Sequence, residues 1–309
     1  MSVHVVVGSG PIGSSIAQLH AERGEQVRMI TRSGSGPSHP LIERVAADAS
    51  DARRLTELTQ DAATLYNCAN PKYTDWTKLW FPLNDAMIAA AKAAGAVYVL
   101  TGNLYVYGPR ADGRMTEQSP MAAVGRKGQV RIKMWQDALA SGLRTVEVRG
   151  SDYIGAGAVG VFSSVLLPAI TSGRAAWAPG DPDLPHSFTY TGDQARTMVT
   201  LAHDERAWGQ AWHTPTVPAI SIRTLADRYC ELVGKPKLTI HKLPRFVMRT
   251  AGLVHPMSRE LAEMDYQFYA PFRLDSSHTE RTFGLRPTPI EVGIRETADD
   301  AKAIAARTM

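Results

Sequence analysis

Residues 3–20, VHVVVGSGPIGSSIAQLH, constrain the fold more than any other stretch of the chain. The largely β-branched run Val3–Val7 reads as a buried strand. It meets Gly8-Ser9-Gly10-Pro11-Ile12-Gly13 and passes directly into a helical pattern. A strand, a glycine turn and a helix in that order leave backbone N–H groups at a helix N-terminus facing a pyrophosphate. Gly8 makes the tight turn, Gly10 removes the side chain that would block the phosphates, and Gly13 lets helix and strand pack closely. Ordinary βα turns also use glycine, so the weight of this one comes from its place after a buried-type strand.

Strand patterns recur at 3–7, 26–31, 42–46, 63–68, 96–101 and 144–149, separated by helical patterns at 13–23, 51–59, 82–94 and 127–141. That alternation predicts an α/β protein: a Rossmann-like doubly wound parallel sheet with a smaller C-terminal substrate lobe. Ligands in such sheets sit beyond the carboxyl ends of the strands. After residue 155 the pattern loosens, with prolines clustered at 179–185. Residues 188–204 read as a short strand running into a helix capped by Asp193, 210–214 as a strand, and 221–234 as an amphipathic helix with Ser221 at its N-cap. The expected division is a nucleotide domain over 1–155, with 186–215 returning to it, and a lobe made of 156–185 and 216–309.

The 309 residues carry a net charge of only +4, with no Lys/Arg block and no basic stripe among aromatics, so nucleic acid is not an expected partner. Cys68 and Cys230 are too few for a disulfide framework or a four-ligand zinc site. No His/Cys/Asp/Glu cluster shows metal-ligand spacing, and no metal is expected. Neither a signal segment nor an apolar run long enough to cross a bilayer is found, so a cytoplasmic protein without a membrane partner is expected.

The second strand is followed by Arg32 and Ser33. An acidic residue there would accept from an adenosine ribose and repel a 2′-phosphate; Arg and Ser instead offer a planar cation and a hydroxyl donor to that phosphate. NADPH is therefore expected over NADH. Asp48 reads either as an acceptor for the adenine amino group or as a helix N-cap.

GSGPIG, Asp48, NCANP at 67–71, GAVYVLTGNLYVYG at 95–108, RGSDYIG at 149–155 and HSFTYTGD at 186–193 together resemble the extended short-chain dehydrogenase/reductases, the epimerase/dehydratase branch. The resemblance covers most of the chain in order. It implies cofactor contacts from Gly8, Gly10, Pro11, Ile12, Gly13, Arg32, Ser33, Asp48, Ala49, Ala69, Thr101 and Lys127. The departures lie at substrate-facing positions. Laid against the family's Tyr-x-x-x-Lys pair, Val124 replaces the tyrosine and Gly128 the lysine. Asn103 stands where a Ser or Thr is usual, and His186 where an Arg is usual. The phenol–ammonium couple that would exchange a proton with a substrate oxygen is missing. The chain is therefore similar to atypical members of the family.

Thr101, Asn103, Tyr105 and Tyr107 share parity, so in an extended strand they would point to one face. The candidates for chemistry are Asn103, Tyr105 as replacement proton donor, and Lys127, one residue before the family's lysine. Each also reads as structural: Tyr105 as packing, Lys127 as an exposed helix lysine. Lys127 and Arg131 lie on one helix face, where two cations suit a nearby anion. Asp152 reads as a base or a cap. Tyr73, Asn103, Tyr153, His186 and Tyr266 are candidate substrate contacts, with lobe packing as the alternative for the aromatics. The leading expectation is an NADPH-dependent oxidoreductase reducing a carbonyl or activated double bond of a small, fairly apolar molecule. A non-catalytic NADP(H)-binding sensor or subunit and an NADP-dependent isomerase or lyase remain open. The helices at 82–94 and 127–141 are expected to pair in a homodimer.

Overall fold

The computed structural model describes residues 3–110, 113–254 and 256–308, which fall into two compact units. The first comprises Met1–Val106, Met121–Arg149 and Gln194–Thr214. Its centre is a seven-stranded sheet: β1 (Val3–Val7), β2 (Gln26–Thr31), β3 (Ile42–Ala46), β4 (Ala62–Asn67), β5 (Val97–Asn103), β6 (Thr145–Gly150) and β7 (Gln210–His213). The order across the sheet is β7-β6-β5-β4-β1-β2-β3, and the registered pairs are parallel. Chain direction across the sheet reverses between β1 and β4. This is the switch point at which doubly wound sheets open a crevice. All five residues of β1 are buried, as a strand covered on both faces requires.

Around the sheet lie α1 (Pro11–Glu22), α2 (Ala52–Thr59), α3 (Trp76–Ala94), α4 (Arg126–Ala140) and α5 (Thr191–Ala202), the last of which belongs to this unit from Gln194 on. Val5, Val7, Ile30, Leu65, Met87, Tyr98, Leu100 and Met134 share one core cluster with Trp76 and Trp80. α3 starts six residues before the sequence pattern placed it, with Pro82 inside the helix. Pro82 lacks only one intrahelical N–H. Trp76 and Trp80, four residues apart and 4% and 1% exposed, anchor the added turns in the core. β5 also departs from expectation. It ends at Asn103, and Leu104–Tyr107 form a 3₁₀ turn, so the shared parity of Thr101 and Asn103 does not extend to Tyr105 and Tyr107.

The second unit comprises Tyr107–Pro120, Gly150–Asp193 and Pro215–Met309 and is nearly as long as the first. It is built on short ladders. Asp152–Ile154 pairs parallel with Phe188–Tyr190, Ala176–Pro179 with Ile240–Leu243, and Arg114–Met115 with Arg273–Leu274; Pro185–His186 runs antiparallel to Ile220–Ser221. Three segments fall differently from the sequence-based division. Residues 107–120, 150–155 and 186–193 pack here rather than in the nucleotide domain, because their strands pair with residues of this unit. The core includes Ile154, Phe162, Leu166, Phe188, Leu225, Tyr229 and Ile240. Ser221 caps the helix Ile222–Leu232 by accepting from Thr224 N–H at 3.0 Å. Asp193 is not the cap of α5: it lies inside the first turn and accepts from the Thr288 N–H and hydroxyl, both at 2.6 Å. No described helix is long and apolar enough to cross a membrane.

Candidate dinucleotide site

The glycine turn between β1 and α1 is shaped by its neighbours. Gly8 has φ +103°, and a methyl there would stand 2.5 Å from the Cys68 carbonyl oxygen, so only glycine fits. A methyl on Gly13 would overlap the Gly8 carbonyl oxygen, which lets α1 sit hard against the turn. Gly10 differs from both. Its φ of −66° suits any residue, and a methyl there would meet no protein atom within 4 Å. Gly10 precedes Pro11 at the start of a twelve-residue helix that has no side-chain cap and no acidic residue in its first turn. No carboxylate of the helix's own first turn thus offsets the positive end of its dipole. The cradle fits a dinucleotide pyrophosphate. Ala69 follows Cys68 beside Gly8, and burial pushes the Cys68 thiol up to about 12, towards its protonated form.

At the end of β2, Arg32 and Ser33 are both exposed. Next to them the Ser9 and Ser35 hydroxyls lie 2.8 Å apart, and the Thr31 hydroxyl donates to the Ser35 carbonyl at 3.2 Å. Asp48 accepts from the Ser50 N–H at 2.9 Å and the Ser50 hydroxyl at 2.7 Å. Those two bonds hold its carboxyl below the usual range, and the Arg32 charge adds to them. The N-cap of α2 is Asp51, which accepts from Arg54 N–H, so Asp48 is not the helix cap. Ala49 buries its methyl in the core, leaving only its backbone for a ligand.

At the end of β5 the Thr101 hydroxyl faces the sulfurs of Cys68 and Met198 at 3.6 and 3.5 Å. The Asn103 carboxamide oxygen accepts from the Tyr105 N–H at 3.1 Å, which ties the following turn. Tyr105 is half-buried, its ring 6.1 Å from that of Trp76. Tyr107 is fully buried. The positions at and before the start of α4 that correspond to the missing couple are now explicit. Val124 is 89% exposed. A methyl on Gly128 would press on the Ala123 methyl and stand 2.7 Å from the Tyr105 carbonyl oxygen, so this backbone has no room for a lysine. Lys127 is not an exposed lysine: it is buried, with its ammonium 4.2 Å from the Tyr73 ring centroid. Arg131 lies over Trp76 and Trp80 at 4.7 and 4.4 Å and donates to the Thr101 carbonyl at 3.1 Å. Aromatic faces thus lie against both cations of this helix face. Sequence spacing offered no hint of this cage, because Tyr73, Trp76 and Trp80 belong to another element.

In the second unit His186 is 2% exposed. Its Nε2 is 3.0 Å from Asp152 Oδ2, its Nδ1 is 3.3 Å from the Gln267 carbonyl, and Phe268 and Phe272 stack on its ring. The structure therefore joins Asp152 to His186. Tyr153 lies half-buried on the strand beside Thr189. Tyr266 meets Phe272 edge-on and, with Arg110, Arg245, Tyr269 and Phe272, lines a cavity of about 200 Å³. Arg245 there is clamped by both Asp265 oxygens at 2.6 and 2.7 Å. Neither Arg110 nor Arg245 had a sequence signal. The proposed sites thus gather into a glycine cradle and a cluster of Tyr73, Lys127 and Tyr105 around Trp76 in the first unit, and a Tyr266 cavity in the second; His186 and Tyr153 do not line that cavity.

No protein-family model and no curated protein matches the chain. Solved structures do. The Bordetella bronchiseptica enzyme WbmH in complex with NAD+ superposes with a TM-score of 0.77 at 20% identity, covering 98% of this chain and 99% of that one. The dTDP-glucose 4,6-dehydratase of Bacillus anthracis in complex with NAD gives 0.78 at 16%, covering 98% and 97%. The UDP-glucose 4-epimerase of Thermotoga maritima with UDP-glucose gives 0.79 at 13%, covering 99% and 100%. At these identities the likeness shows the fold: the Rossmann-like fold that the resemblance to extended short-chain dehydrogenase/reductases implied.

Proposed function

We propose that the protein is an NADP(H)-dependent oxidoreductase of atypical extended short-chain dehydrogenase type, which reduces a carbonyl or activated double bond of a small, fairly apolar molecule. The observation that carries this reading is Gly10. Neither packing nor backbone conformation requires glycine there, so its missing side chain serves a ligand in front of α1. In this reading Gly8, Gly10, Pro11, Ile12, Gly13 and Ala69 hold the pyrophosphate, and Asp48 and Ala49 meet the adenine end. Arg32 and Ser33 take the 2′-phosphate, and Thr101 and Lys127 border the nicotinamide ribose. When bound, the nicotinamide supplies a hydride. Asn103 fixes the turn that carries Tyr105, and the Tyr105 phenol donates the proton that balances hydride addition at a carbonyl. Lys127 keeps a positive charge under the Tyr73 ring, and Tyr73 and Asn103 also contact substrate. Tyr266 lines the substrate cavity, with Tyr153 bordering the substrate and His186 holding the phenyl rings on which the cavity rests. An epimerase or dehydratase role, which the fold alone would allow, lacks a phenol–ammonium couple at 124 and 128.

A non-catalytic NADP(H)-binding role is the second reading, favoured by the cations laid under aromatic rings. Stereospecific deuteride transfer from labelled NADPH to a panel of aldehydes, ketones and enones separates the two: tight binding without transfer supports the sensor. Arg32→Ala is expected to weaken NADPH binding at least tenfold more than NADH binding by calorimetry, about the effect of one charge-assisted phosphate contact. Equal losses would remove Arg32 from the 2′-phosphate. Tyr105→Phe is expected to lower turnover with cofactor affinity held. We further propose a cytoplasmic homodimer through α3 and α4, whose Leu79 and Leu139 are 44% and 40% exposed.

A further inference from the structure

At the N-terminal edge of the sheet, away from the glycine turn, the first unit gathers three imidazoles that no role above uses. His4 is on β1, His20 in the last turn of α1, and His203 just after α5; one ring nitrogen from each lies within 4.8 Å of the other two. His4 and His20 are 2% and 0% exposed, while His203 is at the surface. The two buried rings stack at 3.8 Å between centroids, and His203 meets them edge-on at 5.5 and 5.9 Å.

Hydrogen bonding divides the nitrogens of the buried pair into two sets. His4 Nδ1 is held by the Thr64 hydroxyl at 2.8 Å and His20 Nε2 by the Tyr66 hydroxyl at 3.0 Å. Thr64 and Tyr66 are two apart on β4, so one face of that strand supports both rings. The other nitrogens, His4 Nε2 and His20 Nδ1, converge on one carboxylate oxygen, Glu25 Oε2, at 3.6 and 2.5 Å. An imidazole oriented by a hydroxyl on its far nitrogen, with its near nitrogen aimed at a shared centre, is how metal-ligating histidines are held. Three imidazole nitrogens and one carboxylate oxygen suit a zinc-class ion and not calcium or magnesium, which take oxygen sets. The exposed Arg23 is the opposing charge nearby.

We propose that His4, His20, His203 and Glu25 form a binding site for a single zinc-class divalent ion, pinning the start of β1, the end of α1 and the segment after α5 together. Sequence spacing concealed it, because the ligands lie at positions 4, 20, 25 and 203 on four different segments.

The test uses the full chain, stripped with chelator and titrated with Zn²⁺ by calorimetry and with Co²⁺ by visible absorption. The expected result is one equivalent bound, tetrahedral-type cobalt bands, and a Tm raised by several degrees at saturating Zn²⁺. His203→Ala, a surface change that leaves the buried pair in place, is expected to lower Zn²⁺ affinity at least tenfold and abolish the bands. His241→Ala, an exposed histidine in the second unit, is expected to change neither. Absence of saturable binding, or binding undiminished in His203→Ala, overturns the site and leaves a hydrogen-bonded His–Glu cluster only.

Discussion

Gly10 and Gly13 sit three residues apart in the same turn and ask for glycine for opposite reasons. At Gly13 the neighbours are protein: an added methyl would overlap the Gly8 carbonyl oxygen and touch the Cys68 Cβ at 3.1 Å. At Gly10 no protein atom is near. The two alanine variants should therefore divide stability from binding. Gly13→Ala forces α1 away from β1 and is expected to cost about 1–3 kcal/mol, the usual range for overpacking a tight contact. Gly10→Ala is expected to leave Tm within a degree or two and to weaken NADPH binding at least tenfold, because its methyl enters the space in front of the helix dipole. Thermal denaturation beside an NADPH titration reads both. A Gly10→Ala protein that keeps full affinity would show that the pyrophosphate lies elsewhere.

Among the elements, the join of β5, its 3₁₀ turn and α4 explains why the usual couple is not merely substituted but excluded. Gly128 lets α4 rest on the Tyr105 carbonyl at a spacing no side chain could occupy, and Gly102 does the same on β5, where a methyl would stand 2.7 Å from Glu147 of the buried Glu147–Arg149 pair. Restoring the family residues with Val124→Tyr and Gly128→Lys is therefore expected to lower Tm by several degrees and to confer no added turnover; a stable double variant with raised activity would refute the steric argument. The same join marks how far the sequence could be read. Long strands and helices announced themselves: β1, β2 and β3 fall where the sequence pattern placed them, and β1, buried along its whole length, carries the near-continuous apolar run that such a strand needs. Pro82 concealed the true start of α3, since a proline reads as a boundary while Trp76 and Trp80 decide the matter through packing. The turn after Asn103 was illegible because parity arguments hold only while the strand lasts. In the second unit, ladders as short as two or three residues carry no period at all, which is why residues 107–120, 150–155 and 186–193 fall differently from the sequence-based division. Of the candidate site, the glycine cradle was legible because its cause is local. The Tyr73–Lys127 contact, the Asp152–His186 pair and the three-histidine cluster were not, because each joins residues far apart in sequence.

At the scale of the whole molecule, acid should be the condition that most exposes the cost of its charges. Asp48, Asp61, Asp181 and Asp204 are all held below the usual carboxylate range, the first by its bonds to Ser50 and the others by hydrogen bonds from Arg28, Lys242 and Arg206. Asp275 is the extreme case. Burial works to raise its carboxyl, yet hydrogen bonds from Arg114 and Ser277 outweigh it and bring the group down to about 2. In the unfolded chain the same carboxyl titrates near ~3.9. The folded protein therefore binds fewer protons than the unfolded one between these values. The contribution is fully present above about pH 4–5 and lost as pH falls towards about 2, with no counterpart on the alkaline side. Arg114 is 61% exposed, so solvent screening keeps the effect modest. Asp275→Asn removes the titration and leaves the shape. The Tm difference between the native chain and this variant is expected to be largest near pH 7, to shrink from about pH 5 downward and to vanish near pH 2. Calorimetric melts across that range decide it: a difference independent of pH would mean that Asp275 ties the Arg114–Met115 and Arg273–Leu274 ladder by shape alone and not by charge.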